Sequence, residues 1–153
     1  MTGEHGDVGS APRLSHVGVT VSSVAAARSF VSNLFAIEPS IDRVFDAPYL
    51  SELSGFPDAR LLVSVFELPG GGEIELIEYL GIDREPVADP AVPGGAHVSV
   101  TTPAVEALWS RAISLGAHPR SSGLVDITSG ANQGRKIGYL RCPGDWTLEV
   151  TSA

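Results

Sequence analysis

Two histidines and two glutamates recur at matched places in this chain. The stretch HVGVTVSSVAAARSFVSNLFA, beginning at His16, aligns without gaps on HVSVTTPAVEALWSRAISLGA, beginning at His97, an offset of 81 from residue 16 to residue 97. Further on, LPGGGEIELIEY echoes CPGDWTLEVTSA and pairs Pro69 with Pro143, Gly70 with Gly144 and Glu75 with Glu149, an offset of 74 from residue 75 to residue 149. Imidazole and carboxylate together suit a borderline divalent ion. A lone histidine on a strand is usually an ordinary polar residue of the core, and a lone glutamate a solvated edge charge. Four such groups at equivalent positions of a duplicated unit point instead to a metal site shared by pseudo-symmetric halves, with His16, Glu75, His97 and Glu149 as the ligands. Two nitrogens and two oxygens leave a six-coordinate Lewis acid with room to chelate neighbouring oxygens of a substrate.

The elements that must position these groups follow from periodicity. Leu14 to Val21 alternates and is β-branched, which predicts a strand with His16, Gly18 and Thr20 on one face. Ser22 or Ser23 suits the N-cap of a helix running to about Phe35, whose Val24, Ala27, Phe30, Val31 and Leu34 form an apolar stripe. A strand broken by Pro39 is expected over Ile37 to Phe45, followed by the excursion DAPYLSELSGFPDA, then strands at Arg60–Leu68 and Glu73–Leu80 joined by the glycine-rich turn PGGG. The second copy opens with a strand from Ala96 to Thr101, placing His97 in phase with Ser99 and Thr101. Thr102 is expected to cap the next helix, with Pro103 at its first position and Gly116 at its exit. Strands near Ser122–Thr128, Lys136–Arg141 and Thr147–Thr151 complete the copy. The expected class is α+β: two tandem βαβββ modules, 13–84 and 96–153, joined by a linker over 85–95 and forming a curved mixed sheet around a metal-binding cavity. Residues 1–12 are expected to be a disordered start.

Composition excludes several functions. The 153 residues carry a net charge of −8, the wrong sign for a nucleic-acid partner, which needs clustered Lys and Arg. No apolar run is long enough to cross a bilayer, and the polar, Gly-rich start is unlike a signal peptide, so a cytoplasmic protein without a membrane partner is expected. The single cysteine, Cys142, lies in an apolar strand pattern and reads as buried filler rather than a nucleophile. Arg135 and Lys136, beside the SGANQG loop, could hold an anionic group or be plain surface charges. Tyr49, Leu50, Phe56 and Trp146 could line a pocket or belong to the core.

The βαβββ repeat with SHVGVTV, EIELIEY, AHVSVTT and TLEV in this order resembles the vicinal oxygen chelate superfamily, from about Leu14 to Thr151. That superfamily includes glyoxalase I, methylmalonyl-CoA epimerase, fosfomycin resistance proteins and extradiol dioxygenases. The resemblance implies one divalent ion (Zn, Ni, Co, Mn or Fe) held by His16, Glu75, His97 and Glu149. It implies an isomerase, epimerase or lyase that removes a proton alpha to a carbonyl of a small carbonyl or thioester substrate. Similarity to glyoxalase I makes Glu149 or Glu75 the base; similarity to the epimerase offers Asp58, which otherwise reads as a turn residue. An extradiol dioxygenase would use His16, His97 and Glu149 with Fe(II) and leave Glu75 out, and a non-catalytic binding or resistance protein would need no metal. A homodimer is expected, with the cavity closed either within one chain or across two.

Overall fold

The computed structural model describes residues 13–87 and 90–153, so the expected disordered segment 1–12 lies outside the described residues. The first module runs β1 (Val17–Thr20), α1 (Val24–Phe35), β2 (Ile41–Phe45), α2 (Tyr49–Ser54), β3 (Leu61–Glu67) and β4 (Glu73–Tyr79). The second runs β5 (Val98–Thr102), α3 (Val105–Ser114), the two-residue strands β6 (His118–Pro119) and β7 (Val125–Asp126), β8 (Lys136–Cys142) and β9 (Trp146–Ser152). Strand order is β1-β4-β3-β2 in one sheet and β5-β9-β8-β6 in the other, with β7 also on β8. The first strand of each module lies parallel to its last, and the remaining pairs are antiparallel. Among the described residues the strands thus form two mixed sheets, one from each module. Among the described residues no helix is long and apolar enough to cross a membrane.

Each glutamate is placed by strand alternation. Ile74 and Leu76 are buried on the helix side of β4, and Leu148 and Val150 on that of β9, so Glu75 and Glu149 between them point to the opposite face. The helices hold the apolar face. Ser23, in an extended conformation, accepts a hydrogen bond from Ala26 N at 3.2 Å, and Glu78 accepts one from Val24 N at 2.8 Å, together satisfying free amides at the start of α1. The five stripe residues of α1 are all buried. The start of α3 departs from expectation: Thr102 continues the ladder opposite Ser152, so Pro103 falls in a turn and the helix begins at Val105. Thr102 Oγ1 still accepts from Ala104 N, at 3.1 Å.

The two modules meet through α1, and among the described residues no strand of one sheet pairs with a strand of the other. Phe30 packs edge-on against Trp146, with ring centroids 6.1 Å apart, and one core spans both modules. The β8–β9 turn seats on the start of α1, where Ser22 N donates to Gly144 O at 2.9 Å and Ser22 Oγ to Asp145 Oδ2 at 2.5 Å. A Cβ on Gly144 would stand 2.8 Å from Ala27 Cβ and 2.9 Å from Ser23 O, so only glycine fits. Arg111 of α3 donates to Asn33 O at the far end of α1. Inside the expected excursion, α2 and its flanks build a second cluster: Leu50 and Ala59 join Leu61 and Val63, with Phe45, Phe56 and Ile77 against them. Because Val63 is the ladder partner of Ile77, this cluster lies on the Glu75 face of the first sheet.

Candidate metal centre

His16 and His97 each stand one residue ahead of their strand, and ladder register does the rest. Gly18 is opposite Glu75 and Ser99 opposite Glu149, so each histidine shares a face with the glutamate of its own module. His16 Nε2 lies 3.1 Å from Glu75 Oε2, and His97 Nε2 lies 3.4 Å from Glu149 Oε2. Two donors about 2.1 Å from one ion and at right angles around it are about 3.0 Å apart, so each pair is spaced as neighbouring ligands of a divalent ion would be. The donor chemistry therefore fits a borderline metal, with His16, Glu75, His97 and Glu149 as the groups to hold it.

The pairs stay apart within one chain. Among the described residues no three His, Cys, Asp or Glu side chains gather around a common point suited to a metal ion. A single chain thus carries two separate His–Glu pairs, and of the two closures expected, within one chain or across two, the described residues do not form the first. The cause is the junction through α1, which joins the modules by their helix-side cores and leaves the two glutamate faces on separate sheets. A cleft of about 1130 Å³ opens between β1, the linker and the start of β5, and His97 is the one candidate ligand on its wall.

The half-sites differ in what surrounds the carboxylate. Ser99 Oγ donates to Glu149 Oε1 at 2.6 Å, leaving Oε2 toward His97. Tyr139, the β8 neighbour of Glu149, lies edge-on to His97 with centroids 5.1 Å apart. Burial pushes the Tyr139 hydroxyl above its ordinary pKa, helped by its hydrogen bond to Glu149 and by that carboxylate's charge. In the first module the equivalent positions are Gly18 and Val65, which bring no polar side-chain atom to Glu75. His16 is instead held from behind, with Nδ1 3.2 Å from Ser15 Oγ. Accordingly the Glu149 side chain is 13% exposed and that of Glu75 24%. Ser99 and Tyr139 were not marked as site residues by sequence reasoning, although the aligned repeat already sets Ser99 against Gly18.

Other candidates fall elsewhere. Asp58 occupies an exposed turn with a left-handed φ of 53°, as its Pro-Asp context suggests. Lys136 pairs with Glu106 at 3.1 Å, beside the start of α3. Trp146 and Leu50 are core residues, Phe56 packs edge-on to Tyr79, and Tyr49 is exposed. Cys142 is buried, and burial raises its thiol to about 12.

No protein-family model matches the sequence, and no curated protein matches it. Solved structures do match along almost the whole chain. A glyoxalase family protein from Bacillus cereus superposes with a TM-score of 0.78 at 18% identity, covering 94% of this chain and 95% of that one. A glyoxylase/bleomycin resistance protein/dioxygenase domain from a Frankia species gives 0.66 at 19% identity, over 94% and 93%. The fosfomycin resistance protein FosX from Listeria monocytogenes, solved with Mn(II) and sulfate, gives 0.58 at 14% identity, over 94% of each chain. Two βαβββ modules in this order, each with a histidine before its first strand and a glutamate in its last, and these neighbours along the chain, give one conclusion: the protein has the vicinal oxygen chelate fold.

Proposed function

We propose that this chain is a subunit of a divalent-metal-dependent enzyme that moves a proton alpha to a carbonyl, as an isomerase, epimerase or lyase of a small carbonyl or thioester substrate. The observation that carries the reading is the repeated His–Glu pair at equivalent ladder positions, spaced as neighbouring ligands. Because one chain holds two half-sites, the complete site is assembled between two copies: His16 and Glu75 of one subunit face His97 and Glu149 of the other. An ion held there supplies Lewis acidity toward negative charge developing on the substrate oxygen. The chain's own residues do the rest. The histidines fix the site's nitrogen donors, one carboxylate accepts and returns the proton, and the apolar cluster under α2 excludes water from the Glu75 face.

Redox-neutral chemistry is favoured over an Fe(II) dioxygenase by Glu75, which turns toward His16 rather than away from it. A metal-free binding role is disfavoured by the retention of all four ligands. The test is metal analysis of tag-free protein dialysed against divalent ions, followed by deuterium incorporation at the alpha carbon of hemithioacetal and thioester probes in D2O. One ion per chain and metal-dependent exchange are expected. No stoichiometric ion, or oxygen consumption with catechols on Fe(II) loading, would overturn the reading.

A further inference from the structure

Register lays out the open face of the first sheet in rows across its strands. Glu75, Val65 and Ile41 form one row, Ile77, Val63 and Arg43 the next, and Tyr79, Leu61 and Phe45 the third. Helix α2 covers the middle of the second and third rows, where Val63 and Leu61 are buried in one cluster with Leu50. It leaves Val65 half-buried and Ile41 40% exposed, so an apolar shelf runs from Val65 to the outer edge of the sheet at β2. Beside that shelf stands Arg43, two strands across and two residues along from Glu75, about 12 Å by strand geometry. Its guanidinium lies 4.3 Å from the centroid of the Phe45 ring, and among the described residues it has no carboxylate partner, although the chain carries a net charge of −8. Arg28, Lys136 and Arg141, by contrast, each pair with a carboxylate. A ring beneath a guanidinium holds its plane without neutralising it, and the fork of donors stays open to an oxyanion. Glu67, Glu73 and Glu75 gather toward the other end of this face, so Arg43 leans away from them and the face is polarised along its strands. Arg84 also lies over a ring of the cluster, 5.8 Å from the Phe56 centroid, but it stands between Asp83 and Glu85 in the chain, which offset its charge.

We infer that this face binds a small amphipathic carboxylate, its apolar body lying across Val65 and Ile41 and its carboxylate forked onto Arg43. As a binding site it rests on the sheet face alone and needs neither an ion nor proton transfer. As a statement about the substrate it rests on the proton-transfer reading above, and adds that the non-reacting end of that substrate is acidic.

Two probes of one shape separate the charge from the apolar body: 4-phenylbutanoate and its uncharged amide, 4-phenylbutanamide, titrated calorimetrically into the full-length protein with a chelator present at neutral pH. Wild type is expected to bind the carboxylate about tenfold or more tighter than the amide, the worth of a charge-assisted hydrogen bond. Arg43 is exposed, so Arg43→Gln leaves the core untouched, and it is expected to abolish the preference by weakening the carboxylate about tenfold with the amide unchanged. Ile41→Ser is expected to weaken both probes alike, by about fourfold, the share of one buried methylene group. Arg135→Gln, which removes an exposed arginine of the second module, is expected to change neither. No binding of either probe, equal binding of the two by wild type, a preference that survives in Arg43→Gln, or one that is lost in Arg135→Gln overturns the site. Carboxylate binding that depends on Arg43, in a protein that shows no metal-dependent alpha-proton exchange, overturns the proton-transfer reading and leaves this site standing.

Discussion

Gly144 offers the sharpest test of how the modules are joined, and hence of why the two His–Glu pairs lie apart in one chain. Its φ is 87°, and a Cβ there would lie 2.8 Å from Ala27 Cβ and 2.9 Å from Ser23 O. Replacing it with alanine adds two costs. The left-handed backbone disfavours any side chain by about 1–2 kcal/mol. Forcing a methyl group into the packed contact with α1 adds roughly 1–3 kcal/mol. Gly144→Ala should therefore destabilise the chain by about 2–5 kcal/mol, a large share of the roughly 5–15 kcal/mol typical of a domain. Gly130 is the control: its φ is 81° and nothing lies within 4 Å of an added Cβ, so Gly130→Ala should lose only the backbone share, about 1–2 kcal/mol. Urea unfolding of both variants, with unchanged slopes, measures the difference directly. Equal losses would refute the seating of the β8–β9 turn on α1, and with it the account of what keeps the two His–Glu pairs apart.

Other consequences follow from the same contacts. With its thiol buried and raised to about 12, Cys142 should stay inert to a thiol-specific dye at pH 8 in the native protein and react fully in denaturant; prompt native labelling would contradict its placement. Asp145 is held below its ordinary 3.8 chiefly by the Ser22 hydroxyl, with Arg141 adding to the shift and burial opposing it. A depressed carboxylate stabilises the fold fully above its unfolded value and loses that contribution as pH falls through the folded one. The stability gap between wild type and Asp145→Asn should thus be constant at neutral pH and shrink below about pH 3.8. Asparagine tolerates the left-handed φ of 64° at this site, so the variant removes the charge without backbone strain, together with one of the two oxygens that accept from Ser22 and Arg141. A gap that widened on acidification would contradict the sign.

The parts of the fold that periodicity encodes were legible. The five-residue stripe of α1 is the buried set, and Glu75 and Glu149 fall between buried neighbours because a strand alternates. Helix α2 was not visible: its six residues, YLSELS, lie between Pro48 and Gly55, too short for a helical period to emerge, and it forms because Leu50 is buried against β3. The tandem repeat shows which positions are equivalent but not which surfaces meet. The joining of the modules through α1 depends on the close approach at Gly144 and on Phe30 meeting Trp146, contacts between segments more than 100 residues apart. Hence the His–Glu pairs within each module could be read from the aligned residues, while their separation within one chain could not. The hydroxyl beside Glu149 was within reach, since the aligned copies set Gly18 against Ser99.

The central claim is that each metal site is built from two copies of the chain, and mixed dimers test it most directly. One differently tagged subunit carries His16→Ala and Glu75→Ala, and the other His97→Ala and Glu149→Ala. If the sites form between subunits, a mixed dimer retains one complete set of four ligands, so it should bind one Zn(II) where the wild-type dimer binds two and each parent variant none. Mixed dimers that bind no metal while the wild-type dimer binds two would contradict the account, because that result requires each chain to complete its own site.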